Sequence, residues 1–430
     1  MSKILLCKPR MCGREIDFIR AALAEDWAVP LGPDCDAFEH ELEKFVNQRT
    51  GVDIREDDAS VSPVLLSKKL AALVSGTAAV HLALIACGVG PGDEVLVQSF
   101  TFCASSHPVT YLGATPVFVD SEPQTWNMDS QLLEEAIRDR IEKTGRKPKA
   151  IIPVALYGMP YQIDRIMEIA DRYEIPVIED AAEGFGSRYK GRVLGTFGRY
   201  GVLSFNGNKM ITTSGGGALI CPDAEARQQI MWYATQARES YPYYQHEAIG
   251  YNYRMSNICA GIGRGQMTVA DEHIAHHRHV QALYRELLKD VPGITLHEAP
   301  SPDYDSNYWL CTATLDPDLK IRGQENAYRQ VISGAVGGAA GVTHAVESAT
   351  TDCQPNDNVE ALRMALDAAG IESRPLWKPM HRQPVYRNSP AYTNGVSESL
   401  FRVGICLPAG PWVTDDHVRY IVDSIRAAII

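Results

Sequence analysis

Ala150-Ile-Ile-Pro-Val-Ala-Leu156, Ile163-Asp-Arg-Ile-Met-Glu-Ile-Ala170 and Ile175-Pro-Val-Ile-Glu-Asp-Ala-Ala-Glu183 set the fold class of this chain. The first and third are short apolar runs bounded by turn or acidic residues, as strands buried on both faces are. Between them Ile163, Ile166, Met167 and Ala170 recur at helical spacing, which predicts a crossover helix. Two buried strands joined through one helix pair in parallel, because parallel neighbours need a connection of that length.

Upstream the same alternation continues. Phe38, Leu42, Phe45 and Val46 have helical spacing, Leu70–Val74 is an apolar run, and Val80, Leu84, Ala86 and Cys87 form another helical pattern. Glu94–Val97 and Pro116–Val119 read as further buried strands. The expectation is an α/β large domain with a mostly parallel sheet covered on both faces, spanning 1–267 with its N-terminal segment. Beyond Met267 a polar helix runs through a cluster of histidines, and strands follow around Trp309–Leu315 and Gly404–Leu407. A last helix starts at Thr414, a plausible N-cap, with Asp415 and Asp416 in its first turn. Val418, Ile421, Val422 and Ile425 line its buried face. This predicts a smaller C-terminal α+β domain over 268–430. Within it Ser333–Asn358, rich in small residues and without a period, reads as an inserted mobile segment.

A chain of 430 residues with 45% hydrophobic and 22% charged residues is an ordinary globular protein of two or three domains. A net charge of −12 argues against nucleic acid as a partner. No run of 18 apolar residues or signal-peptide pattern occurs, which predicts a cytoplasmic protein without a membrane partner. The ten cysteines include no C-x-x-C pair and read as free thiols, so neither a disulfide framework nor a metal site is expected.

Four segments could carry chemistry. In Val74-Ser-Gly-Thr-Ala-Ala-Val80 a strand runs into a helix whose N-terminal N–H groups suit a phosphate; a plain capped helix fits as well. Glu179 and Asp180 stand at the carboxyl end of a buried strand, where open α/β sheets bind ligands and a carboxylate calls for a cationic partner; an ordinary helix cap by Asp180 fits equally. Lys209 lies in Ser204-Phe-Asn-Gly-Asn-Lys-Met-Ile-Thr-Thr-Ser-Gly-Gly-Gly217, with no acidic neighbour in sequence. An enclosed lysine of this kind makes a Schiff-base nucleophile, and an exposed hairpin lysine is the plainer reading. Gly250-Tyr-Asn-Tyr-Arg-Met-Ser256 offers Arg254 as a clamp for carboxylate or phosphate, or as half of a structural ion pair. Two further features read as structural. His273, His276, His277 and His279 sit among Asp271, Glu272 and Arg278 and suggest a solvated helix face, and Gly261-Ile-Gly-Arg-Gly265 suggests close helix packing.

The order of these segments is more specific than any one of them. SGTAA, Ser99-Phe-Thr-Phe102, EDAAE, SFNGNK and GYNYRMSN, framed by Trp27-Ala-Val-Pro-Leu-Gly32, Arg374-Pro-Leu-Trp-Lys-Pro-Met-His381 and Gly404-Ile-Cys-Leu-Pro408, resemble the StrS/DegT-type sugar-nucleotide aminotransferases over most of the chain. SFNGNKMITTSGGG, YATQARES and RPLWKPMH resemble the 4-aminotransferases of UDP-linked trideoxy sugars, such as that of the bacillosamine pathway.

The resemblance implies the aspartate-aminotransferase-like fold of type I pyridoxal-phosphate enzymes. It implies pyridoxal 5′-phosphate as cofactor, a Schiff base and proton shuttle at Lys209, and Asp180 at the pyridinium nitrogen. Phe102 and Ala182 would cover the two ring faces. Gly76, Thr77 and Ser204 would hold the phosphate, Glu183 would meet the phenolic oxygen, and Asn252 would reach in from the second subunit of a homodimer. Trp27, Val29, Arg254 and His381 would line the sugar-nucleotide site; by its guanidinium Arg374 is, with Arg254, a candidate for the diphosphate, or plain surface charge. Glutamate would be the amino donor, and the acceptor a nucleotide-linked 4-keto-6-deoxy sugar, UDP-2-acetamido-2,6-dideoxy-hexos-4-ulose in the first instance. Glu183 departs from the glutamine of many family members, and the Gln48–Ser67 and Ser333–Asn358 stretches look longer than usual. A dTDP- or GDP-linked acceptor, a dehydratase of the same fold and a non-catalytic regulator are the alternatives. The dehydratase branch has histidine where Lys209 stands.

Overall fold

The computed structural model describes residues 3–48, 68–327 and 353–430. Residues 49–67 and 333–352 of the two long stretches lie outside the described residues.

Each central strand splits its side chains between two cores, as the two-residue period requires. Leu70, Ala72, Leu96, Ile151, Leu203 and Ile220 join one core. Their neighbours Ala71, Leu73, Val95, Val97, Ile152, Val202 and Leu219 join the other. Apolar residues at every position therefore produce a sheet that is covered on both faces. Its order is Lys69–Leu73, Gly217–Cys221, Tyr200–Ser204, Ile178–Asp180, Ala150–Ile152, Glu94–Gln98, Thr115–Val119, Ala391–Tyr392. The two four-stranded halves meet through parallel bridges Ile151 to Val177 and Val154 to Asp180. Gly217–Cys221 runs antiparallel to both neighbours, and the remaining pairings are parallel. The expected strands over 150–156 and 175–178 are realised as Ala150–Ile152 and Ile178–Asp180. The chain leaves the first at Pro153, which has no N–H to give a ladder.

The helix Ile163–Tyr173 makes the predicted crossover, with Ile163, Ile166, Ile169 and Ala170 buried. A third core gathers residues of the C-terminal part, including Val280, Tyr284, Leu362, Ile405 and Ile421. It packs around an antiparallel sheet of Ile294–Leu296, Cys311–Leu315, Gly404–Leu407 and Arg374–Pro375. Several pairings tie this region to the rest, among them Tyr304–Asp305 with Arg188–Tyr189. Ala391–Tyr392 extends the large sheet, and Ile4 pairs with Ile371. The helix Asp415–Ala428 starts in a capping box, with Thr414 Oγ1 accepting from the N–H of His417 and His417 Nδ1 from that of Thr414.

The glycine run acts through packing. In the helix Asn257–Met267, a Cβ on Gly263 would stand 2.6 Å from the Phe38 ring, and one on Gly265 2.7 Å from the backbone of Glu15. The expectation of a solvated histidine face is corrected. On the helix Ala270–Leu288, His273 and His277 are buried and His279 is exposed. The period placing Ile274, Val280 and Tyr284 inward carries His273 and His277 with them. Their Nδ1 atoms pair with the carbonyls of Met210 and Tyr308. All ten cysteines are unpaired, and no helix among the described residues is long and apolar enough to cross a membrane.

Candidate active site

A cavity of about 340 Å³ opens at the carboxyl ends of the central strands, the edge where this sheet class binds ligands. Eight of the residues singled out from sequence line it: Gly76, Thr77, Phe102, Asp180, Ala182, Glu183, Ser204 and Lys209.

Ser75 ends the first strand's turn in extended conformation and caps the helix Gly76–Ala86, its Oγ accepting from the Ala78 N–H at 3.0 Å. Gly76 and Thr77, at the positive end of that helix, line the cavity. Ser204 closes the cradle from the next strand but one. A Cβ on Gly76 would sit 3.1 Å from Ser204 Cβ, tighter than an ordinary side-chain contact.

Asp180 is buried and forms no ion pair among the described residues. Its Oδ2 accepts from Ser105 Oγ at 2.6 Å and its Oδ1 from the Ala182 N–H at 3.2 Å. Burial pushes its carboxyl above the usual range, while the Ser105 and Ala182 donors and the Lys209 charge oppose that rise. The adjacent Glu179 turns the other way and is satisfied by backbone N–H groups of Gly195, Phe197 and Gly198. The cationic partner expected for these carboxylates is thus replaced at Glu179 by backbone donors, while Asp180 stays at the cavity.

Lys209 does have an acidic neighbour in space, which corrects the reading from its loop. Its Nζ stands 3.3 Å from Glu183 Oε1 and 4.0 Å from the ring centre of Trp309. Glu183 Oε2 accepts from the N–H of Tyr157, a residue held at φ 54. Burial pushes the Glu183 carboxyl up, and the Lys209 charge pulls it back.

The remaining expected residues lie outside the cavity of this single chain. Asn252 is exposed and bridges Thr235 through its backbone; Arg254 bridges Leu73. Val29 is exposed, its carbonyl accepting from Asn257 N–H, and Trp27 packs beside Gly32. Arg374 is exposed and pairs with Glu372 at 3.1 Å. His381 is tied between Ser99 Oγ at 2.6 Å and Glu398 at 3.1 Å. Sequence reasoning did not single out Ser105, Asn208, Trp309 or Trp377 as site residues, yet all four line the cavity. Ser105 follows the SFTF motif closely; Trp309 carries no motif signal.

The family model that matches is the DegT/DnrJ/EryC1/StrS aminotransferase family, over residues 9–337 and 324–426. The chain belongs to this family. EpsN of Bacillus subtilis (strain 168), which carries the name of a pyridoxal phosphate-dependent aminotransferase, is 41% identical over 428 residues, covering 98% of this chain and 94% of the relative. The GDP-perosamine synthase of Escherichia coli O157:H7 is 33% identical over 427 residues, with 99% and 98% covered. Among solved structures, a family member from Brucella abortus superposes with a TM-score of 0.78 at 27% identity, over 96% of this chain and 95% of that one. The chain is thus a pyridoxal-phosphate-dependent aminotransferase of fold type I.

The residues present fit that cofactor. A helix N-terminus at the cavity suits its phosphate, the buried carboxylate of Asp180 suits a protonated ring nitrogen, and Lys209 lies in the same cavity.

Proposed function

We propose that this aminotransferase moves the amino group of glutamate to the keto carbon of a nucleotide-linked 4-keto-6-deoxy sugar, with UDP-2-acetamido-2,6-dideoxy-hexos-4-ulose as the preferred acceptor. The observation that carries the reading is the convergence of Lys209, Asp180 and the Gly76–Thr77 helix end in one cavity. Bound pyridoxal phosphate supplies an electron-accepting ring and a carbon that carries the amino group. Lys209 holds the cofactor and moves the proton of the donor's α-carbon through Nζ. Asp180 keeps the proton on the ring nitrogen, with Ser105 fixing its carboxylate. Gly76, Thr77 and Ser204 hold the phosphate, Phe102 and Ala182 cover the ring faces, and Glu183 faces the phenolic oxygen.

The functional unit in this reading is a homodimer, with Asn252 of each subunit completing the other's site. Trp27, Val29, Arg254, Arg374 and His381 make the substrate surface. Residues 1–267 form the cofactor domain and 268–430 the small domain. The UDP preference rests on the likeness of SFNGNKMITTSGGG and RPLWKPMH to the UDP-trideoxysugar branch. The similarity to GDP-perosamine synthase over nearly the whole chain favours a second reading, a GDP-linked 4-keto sugar.

Incubation with ¹⁵N-glutamate and UDP-, dTDP- and GDP-linked 4-keto sugars tests both. The expected result is ¹⁵N in the UDP-linked sugar. Markedly better use of the GDP- or dTDP-linked sugar overturns the nucleotide assignment, and deoxygenation without nitrogen transfer overturns the aminotransfer itself.

A further inference from the structure

Trp309 is fixed on the frame that carries both Glu183 and Lys209. Its indole Nε1 donates to the carbonyl of Asn208, the residue before Lys209, at 2.7 Å. Its backbone N–H donates to Asn307 Oδ1 at 2.8 Å, and the Asn307 amide donates to the carbonyls of Glu183 and Phe185 at 2.9 Å each. That frame has no slack. Gly158 stands at φ +91, and a Cβ there would fall 1.8 Å from Asn307 Oδ1. The ring so held is 2% exposed overall but turns a face to the cavity, and Lys209 Nζ lies 4.0 Å above it. The same ammonium donates to Glu183 Oε1 at 3.3 Å.

Two attractive surfaces therefore converge on one cation. A tryptophan face is the strongest ring partner for an ammonium, and more so where water is largely excluded. Such a pair of surfaces can receive a lysine whose amine is free. In an aminotransferase the amine becomes free once per half-reaction: donor amino acid, lysine-bound cofactor and water yield oxo acid, amine-loaded cofactor and free lysine. The donor's nitrogen replaces the lysine nitrogen on the cofactor carbon, the water oxygen becomes the new keto oxygen, and the donor's α-proton ends on the cofactor carbon.

We propose that Trp309 is a positioning residue whose ring face, together with Glu183, docks the ε-ammonium of Lys209 while the lysine is free, and so sets the balance between the lysine-bound and amine-loaded forms. This rests on Lys209 being the cofactor lysine. The dock stabilises only states with a free lysine, so weakening it shifts the balance towards the lysine-bound form. A residue that merely shaped the cavity would have no reason to favour that direction.

The test is an absorbance titration of the holoenzyme at fixed ratios of glutamate to 2-oxoglutarate, comparing the yellow lysine-bound band with the near-ultraviolet amine band. Trp309→Leu is expected to shift the ratio towards the yellow form by roughly three- to thirty-fold, with Trp309→Phe between it and the wild type. Fluorinated tryptophans placed at position 309 alone keep the shape and weaken the ring face stepwise. They should give a graded shift in the same direction, even if Trp309→Leu fails to fold. An unchanged ratio across the fluorinated series, or a shift towards the amine form, overturns the proposal. Borohydride fixation of the cofactor on Lys209 in the same samples separates this failure from failure of the cofactor-lysine assignment, which would leave that residue unlabelled.

Discussion

Ser105 Oγ donates to Asp180 Oδ2 at 2.6 Å, and Thr101 Oγ1 lies 2.8 Å from the same Ser105 oxygen. This short chain of hydroxyls steadies a buried carboxylate that also accepts from the Ala182 N–H and lines the cavity. Asp180→Asn is expected to retain fold and some cofactor but lose turnover by ~100-fold or more, as removal of an electrostatic stabiliser does. Steady-state kinetics of the variant check this, and near-normal turnover would refute the role.

Ser105→Ala removes a bond that lowers the Asp180 carboxyl against the rise caused by burial. Without it the carboxyl takes up its proton at higher pH. The acid limb of kcat/KM against pH should therefore move upward, while the alkaline limb stays in place. An acid limb that does not move contradicts the coupling.

His277 provides a stability prediction with a defined sign. Burial pushes this imidazole down to about 3, from the ordinary value near 6.5. The unfolded chain binds its proton below pH 6.5 and the folded chain does not, so stability is lost as pH falls through that window. Between pH 7 and pH 5 the wild type should lose roughly 2 kcal/mol more than His277→Gln. Urea unfolding of both proteins at the two pH values measures the difference, and equal losses would count against a buried neutral imidazole.

Gly217 lies where the Gly217–Cys221 strand passes the helix end. A Cβ there would stand 2.4 Å from both Gly76 N and the Ser75 carbonyl carbon. Backbone must move to admit it, and this backbone forms the proposed phosphate cradle. Gly217→Ala should cost about 1–3 kcal/mol of stability and release cofactor more readily. Thermal unfolding with and without added pyridoxal phosphate tests it; an unchanged Tm and unchanged cofactor retention would exclude the cradle.

How much of this was legible from residues alone depends on the range of the interaction. The alternation of Leu70, Ala71, Ala72 and Leu73 between two cores is a local property, and the sheet followed from it. The motif order brought Gly76, Asp180, Ser204 and Lys209 to one place before any geometry was known. Trp309 and Asn307 escaped notice because their importance lies in contacts with Asn208 and Glu183 about a hundred residues away. The histidines misled because charged neighbours in sequence outweighed the spacing of His273 and His277, which matches the buried Ile274, Val280 and Tyr284. Lys209 and Glu183, 26 residues apart, meet only once the sheet has formed.

Asn252 is exposed and away from the cavity of its own chain, which supports its proposed role across a two-fold boundary. Dissociating and reassociating a mixture of Lys209→Ala and Asn252→Ala proteins should restore activity, because one site of the hybrid escapes both changes. Mixtures that never regain activity contradict a shared site.

The central claim is that Lys209 carries the cofactor. Borohydride treatment of the purified yellow protein, followed by peptide mapping, tests it most directly. The account predicts pyridoxyl label on Lys209 and its absence in Lys209→Ala; label on any other lysine would contradict it.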